Sequence, residues 1–186
     1  MRIISGKFKG KKLFLPPDKN TRPLKDIVKE SIFNLLEHSN KLDLNLSNSS
    51  VLDLFSGSGS FGIECISRGS KNVYFFENYL KTLKILKRNL SNLDQIQNYK
   101  IFESDCFNFF DSNKSINKVF DLIFIDPPYK ELRINKLIEK IIEKKIITKK
   151  GLFIIHRHKK DKFPITEKIN ILDVRTYGIS KVYIAN

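Results

Sequence analysis

The stretch "VLDLFSGSGSFGIECISRG" (residues 51–69) decides the fold. It begins as an apolar run interrupted by one acid, Asp53, passes through glycine and serine, and ends in helical spacing that stops at Gly69. Strand, glycine turn and helix in succession open a βαβ unit. A glycine just past the helix supplies the left-handed residue that commonly closes one.

The alternation continues outward. "NVYFFE" (72–77) reads as a strand, and "YLKTLKILKRNLSNL" (79–93) as a helix with Leu80, Leu83, Leu86 and Leu90 inward. "YKIFESD" (99–105) and "DLIFID" (121–126) are further strands, "LRINKLIEKIIEKKII" (132–147) a helix, and "GLFIIH" (151–156) a fifth strand. "INILDVRTYGISKVYIAN" (169–186) reads as an antiparallel pair turning at Tyr177-Gly178. Apolar strands alternating with helices imply a parallel sheet covered on both faces. The expected fold is α/β: a Rossmann-like, seven-stranded, mostly parallel sheet with helices on both faces. Upstream, "RIISGKFKGKKLFL" (2–15) alternates apolar and basic residues around Gly6 and Gly10, the pattern of a short basic β-hairpin. "LKDIVKESIFNLLEH" (24–38) puts Leu24, Ile27, Val28, Ile32, Leu35 and Leu36 on one helical stripe. A polar loop follows, so residues 1–45 are expected as a hairpin-and-helix extension and 46–186 as the main domain.

The bulk numbers narrow the class. The chain has 186 residues and is 41% hydrophobic, enough for one domain with a real core. It has no apolar run of about 18 residues and no N-terminal apolar signal segment, so a cytoplasmic protein is expected. Cys65 and Cys106 lack metal-ligand spacing; neither a metal nor a disulfide framework is expected. With no spare apolar helix face, a monomer is the default. The net charge of +14 suggests a polyanionic partner, most simply a nucleic acid. Biased coding DNA could explain part of it, since Ala185 is the only alanine. The distribution is more telling: residues 1–25 hold Arg2, Lys7, Lys9, Lys11, Lys12, Lys19, Arg22 and Lys25 against Asp18 alone.

In an open α/β sheet, ligands sit outside the carboxyl ends of the strands. Here four strands deliver one acid each to that rim: Asp53, Glu77, Asp105 and Asp126. "GSGSFG" (57–62) fits a dinucleotide fingerprint, with Glu77 about the right distance on for a ribose. Charge argues otherwise, because a pyrophosphate would meet Asp53 and Asp105. S-adenosyl-L-methionine instead offers a sulfonium, an ammonium, ribose hydroxyls and an adenine amine, all of which want acceptors. Asp53 suits the ammonium, partly through water, and the Gly57–Gly59 backbone suits the carboxypropyl arm. Glu77 suits the ribose and Asp105 the adenine N6. Phe55, Asn78 and Cys106 stand beside these positions and complete the expected cofactor contacts. A helix cap or a solvated loop residue is the competing reading of each acid, strongest for Asp105.

The fourth strand ends in Asp126-Pro127-Pro128-Tyr129. The prolines fix the backbone and remove two N–H donors, leaving a turn rich in acceptors. The Asp126 carboxylate and the Pro127 carbonyl can accept from an exocyclic amine while Tyr129 stacks on its ring. Asp126, Pro127, Pro128 and Tyr129 are therefore the candidate catalytic residues, for a reaction run by positioning and electrostatics without a metal or covalent intermediate. The turn alone does not choose between adenine N6 and guanine N2.

"MRIISGKFKGKKL", "TRPLKDIVKESIFNLL", "YFFE", "DPPY" and "RTYGIS", in that order along nearly the whole chain, resemble the bacterial 16S ribosomal RNA guanine-N2 methyltransferase family. The resemblance implies a class I methyltransferase fold with a small N-terminal extension, S-adenosylmethionine as cofactor, and one guanine of 16S rRNA as substrate, within small-subunit particles. It also implies that Thr21, Arg22 and Pro23 lie near the cofactor and substrate entrance, and that Arg2, Lys7, Lys9, Lys11 and Lys12 touch rRNA. One departure stands out: His156-Arg157-His158 occupies a place where the family usually has an acid, and no chemistry is expected of it. Two alternatives compete. A DNA adenine-N6 methyltransferase would share the site but lacks a target-recognition domain here. A non-catalytic RNA-binding or ribosome-assembly protein would not need the intact acid and Asp-Pro-Pro-Tyr set.

Overall fold

A computed structural model describes residues 1–16, 23–161 and 164–186. Seven strands form one sheet: β1 (Ser50–Leu54), β2 (Asn72–Phe76), β3 (Tyr99–Phe102), β4 (Phe120–Ile125), β5 (Ile147–His158), β6 (Ile171–Tyr177) and β7 (Ser180–Ala185). Their order is β3-β2-β1-β4-β5-β7-β6. β1 through β5 pair in parallel, and β7 runs antiparallel to both neighbours. The winding reverses between β1 and β4, which opens a crevice at their carboxyl ends. Register keeps that edge level: Leu54 pairs with Phe76 on one side and Ile125 on the other, and Ile125 pairs with Ile155.

Helices α1 (Asp26–His38), α2 (Ser60–Ser67) and α3 (Leu80–Ser91) cover one face, burying Ile32, Ile63 and Leu86 against Val51, Phe75 and Phe124. On the other face α4 (Cys106–Asp111) and α5 (Ile134–Glu143) bury Phe110, Leu137 and Ile141 against Leu52, Ile123 and Phe153. The α/β expectation holds, with departures in detail. Leu80 is 71% exposed and Ile27 67% exposed, not inward. Neighbours on a helix point about 100° apart, so burying Val28 turns Ile27 outward, and Leu80 opens α3 past its packed stripe. The inward face of α1 instead includes Phe33 and Lys29. α4 was not expected, because six residues, four of them apolar, are too few to show a helical period.

The N-terminal segment folds back as expected but forms a single antiparallel bridge, Arg2 to Lys12, rather than a ladder. Ile3, Gly10 and Leu13 N–H groups bond across the fold-back, to Lys11, Ile3 and Met1 carbonyls, while other donors leave it. Ile4 and Ser5 N–H groups bind the Glu64 carboxylate at 2.8 and 2.9 Å, and Lys7 N–H donates to the Ser67 carbonyl at 2.7 Å. The segment is thus tied to α2, and Ile3, Phe8 and Leu13 join the core beside that helix. Lys29, fully buried on α1, lies 3.5 Å from Glu64 and donates to the Arg2 carbonyl at 2.8 Å. Burial lowers its pKa, so the ion pair and hydrogen bonds must offset a desolvation cost.

Gly6 sits where α2 passes closest: a Cβ there would lie 1.9 Å from the Ser67 carbonyl oxygen, at φ +79°. Gly10 has a similar φ, +86°, and open space around it. Gly10→Ala should therefore cost about 1 kcal/mol for the left-handed backbone alone. Gly6→Ala should cost about 3 kcal/mol, because the contact with backbone must also give. Urea denaturation of both variants checks this; equal losses would refute the docking of this segment on α2.

Candidate functional site

A cavity of about 400 Å³ opens at the carboxyl ends of β1, β2 and β4. Phe55, Gly57 and Ser58 bound it on one side and Glu77, Asn78, Asp105 and Cys106 on another. Asp126, Pro127, Pro128 and Tyr129 close a third side, while Pro16, Pro23 and Leu24 reach it from the N-terminal extension. Phe61, stacked on Phe124 at 3.9 Å, also lines it. Among the described residues every charged side chain on this wall is an acid, in a chain of net charge +14.

The loop after β1 is held by its neighbours. Glu77 accepts the Gly57 N–H on Oε2 at 2.8 Å and the Tyr79 N–H on Oε1 at 2.8 Å, joining the loops after β1 and β2. Ser56 N–H donates to the Phe76 carbonyl at 2.9 Å. Gly59 (φ +81°) does not line the cavity. It starts α2 and lets α3 approach, since a Cβ there would meet Leu86 at 2.4 Å. Asn89 of α3 ties the loop to the extension, donating to Ser58 O at 2.8 Å and pairing both ways with the Phe14 backbone.

The four acids sit in different surroundings. Asp53 lies beneath the glycine loop, 1% exposed, and does not reach the cavity wall. Its Oδ2 accepts the Gly62 N–H at 3.0 Å, while Oδ1 is buried with no hydrogen-bond partner. Burial pushes its carboxyl well above the usual carboxylate range; the Gly62 N–H pulls back, and the like charges of Asp126 and Glu77 push further. Burial also raises Glu77, against the backbone N–H groups it accepts. Asp105 caps α4, taking the Asn108 N–H on Oδ1 at 2.9 Å, and also faces the cavity, so cap and site residue are the same group. Burial raises the Cys106 and Cys65 thiols, which leaves both as packed, unreactive groups.

Asp126 receives a contact that sequence reasoning missed. His156 Nδ1 lies 2.8 Å from Asp126 Oδ1. The neighbouring Arg157 donates to the Tyr129 carbonyl at 3.2 Å, and the His158 ring meets the Tyr129 ring edge-on at 4.8 Å. No chemistry was expected of this triplet, yet all three residues touch the Asp-Pro-Pro-Tyr turn. The signal lay in the register: once Ile125 and Ile155 pair, Asp126 and His156 emerge side by side.

The expected nucleic-acid contacts lie off the wall. Arg2, Lys7, Lys9 and Lys12 are exposed on the extension, and Lys11 pairs with Asp94 at 3.0 Å. Thr21 and Arg22 fall outside the described residues; Pro23 lines the cavity. Among the described residues no cluster of three His, Cys, Asp or Glu is placed to hold a metal ion. No helix among them is long and apolar enough to cross a membrane.

Residues 1–186 match the family described as "Conserved hypothetical protein 95". The chain is 32% identical to YlbH of Bacillus subtilis over 185 residues, covering 99% of this chain and 97% of that one. It is 37% identical over 158 residues to "Ribosomal RNA small subunit methyltransferase D" of Buchnera aphidicola, covering 85% and 78%. Among solved structures, yhhF of Escherichia coli superposes with a TM-score of 0.81 at 23% identity, covering 100% of this chain and 96% of that one, a likeness of fold.

Burial of Asp53 makes stability depend on pH. The folded state holds the Asp53 proton more tightly than the unfolded state, so stability falls as pH climbs from the ordinary value of 3.8 through the raised one. Asp53→Asn keeps an acceptor for Gly62 and removes the buried charge. Its melting temperature should match or exceed wild type at pH 7, and the advantage should grow as pH rises above 3.8. Thermal denaturation across that range checks it; an Asn variant less stable at every pH would contradict the unpartnered carboxylate.

Proposed function

This chain belongs to the family described as "Conserved hypothetical protein 95", and from that premise we propose that it is an S-adenosylmethionine-dependent rRNA methyltransferase acting on the exocyclic N2 amine of a guanine in 16S rRNA. The observation that carries the reading is the acid-walled cavity of a basic protein, opening beside Asp126-Pro127-Pro128-Tyr129. A cavity of that sign suits a cationic cofactor and disfavours a pyrophosphate. The bacterial small-subunit methyltransferase relative supports the rRNA substrate.

The donor set fits S-adenosylmethionine. Glu77 faces the cavity with a carboxylate that accepts from backbone N–H groups and still has lone pairs for a ribose diol. Asp105 and Asn78, 3.4 Å apart, suit the adenine edge, and Phe55 borders the same region against Phe107 at 5.6 Å. Asp53 carries a buried oxygen without a partner close below the loop, which leaves an acceptor for a water bridging to the ammonium. The bound cofactor supplies a methyl group on a sulfonium.

In this reading the chain's own residues handle the amine. Asp126 and the Pro127 carbonyl accept its two hydrogens, and Tyr129 stacks on the base. A guanine amine shares its lone pair with the ring, so holding both hydrogens favours a more tetrahedral nitrogen with its lone pair toward the methyl. The nitrogen gains one carbon and sheds one proton, which the Asp126 carboxylate is positioned to receive. The base must leave its stack to enter the cavity. Arg2, Lys7, Lys9, Lys11 and Lys12 hold the surrounding RNA through its phosphates, and Pro23 borders the cavity beside them.

Transfer of labelled methyl groups to small-subunit particles that lack the modification, followed by digestion to nucleosides, tests the reading. Label is expected in N2-methylguanosine; label in N6-methyladenosine would assign the base wrongly. Asp126→Ala should lower the rate at least 100-fold, about 2.7 kcal/mol, with cofactor affinity within about threefold. Near-wild-type turnover in that variant would remove Asp126 from the chemistry.

A further inference from the structure

The end of β5 presses on the Asp-Pro-Pro-Tyr turn at three consecutive residues. His156 is 2% exposed, and its backbone is locked in the ladder with Val182 of β7. Its Nδ1 meets Asp126 Oδ1 at 2.8 Å. Arg157 is also buried. Its Nη2 donates to the Tyr129 carbonyl at 3.2 Å, and its guanidinium is ion-paired with Asp161. Asp161 is itself held by the turn after β5, through its N–H to the His158 carbonyl at 2.9 Å. Side chain and backbone of the turn are therefore gripped from one neighbouring strand.

We propose that His156 is a positioning residue for methyl transfer, fixing the plane of the Asp126 carboxylate, with Arg157 anchoring the backbone of the same turn. This rests on the reading of Asp126 as the acceptor of the target amine. A carboxylate at the end of a strand turns about a broad, nearly two-fold torsion. Two acceptors can shape the amine only if both stay put, and a misplacement of about 1 Å can cost 100-fold in rate. The Pro127 carbonyl is fixed by the proline pair and by Arg157 two residues on. Asp126 has no such covalent restraint. A buried imidazole donor from a paired strand restrains it. An ionised carboxylate only accepts, so the contact requires the proton on Nδ1 of His156.

Two variants and one spectrum decide this. His156→Leu should lower kcat about tenfold or more, with the RNA KM and the cofactor affinity within about threefold. His156→Asn places an amide donor near the former Nδ1 and should recover most of the lost kcat. Nitrogen-15 NMR of the unliganded wild-type protein should show the Nδ1–H tautomer of His156, with faster exchange of that proton in Asp126→Ala. Wild-type kcat in His156→Leu, an equal fall in both His156 variants, or an Nε2–H tautomer would overturn the proposal. The spectrum needs no substrate, so a wild-type protein inactive on guanine would refute the proposed function separately from the His156–Asp126 contact.

Discussion

Like charge held out of water is the constraint on which this site depends. Three carboxylates face one cavity and a fourth lies buried just beneath it. Such groups repel one another, and burial raises the cost of ionising them. The fold tolerates them by turning backbone N–H groups toward them: Gly62 to Asp53, Gly57 and Tyr79 to Glu77, Asn108 to Asp105. These donors neutralise only part of the charge. The remainder is an acidic cavity in a chain of net charge +14.

The same hydrogen bonds give the site its shape. Glu77 is both a wall of the cavity and the splice between the loops after β1 and β2. Asp105 is both wall and helix cap. The N-terminal extension is bound in through Glu64 and Lys29 on one flank and Asn89 on the other, which brings Pro16 and Pro23 to the cavity mouth. The basic extension and the acidic cavity are thereby tied together.

Much of this was legible in the sequence. Glu77, Asp105 and Asp126 were visible because each follows an apolar strand, and Asp53 because it interrupts one. The sheet followed from alternation alone. What stayed hidden depended on pairing between distant segments. His156 reads as an ordinary strand-end histidine until β4 and β5 are in register. Gly59 reads as part of a ligand loop until Leu86 of α3 is packed against it. The bridge from Arg2 to Lys12 looked like a longer hairpin because nothing in residues 2–15 reveals that Glu64 and Ser67 take their N–H groups. Ile27 and Leu80 misled for a simpler reason: an apolar residue adjoining a stripe is not always in it.

In the proposed function the cavity selects its cofactor by charge. Titrating the unmodified protein by calorimetry with S-adenosylmethionine and with NAD, side by side in the same buffer, tests it most directly. S-adenosylmethionine should bind at micromolar concentration and NAD should bind at least 100-fold more weakly. Equal affinities, or tighter binding of NAD, would contradict the claim and return the glycine loop to a dinucleotide.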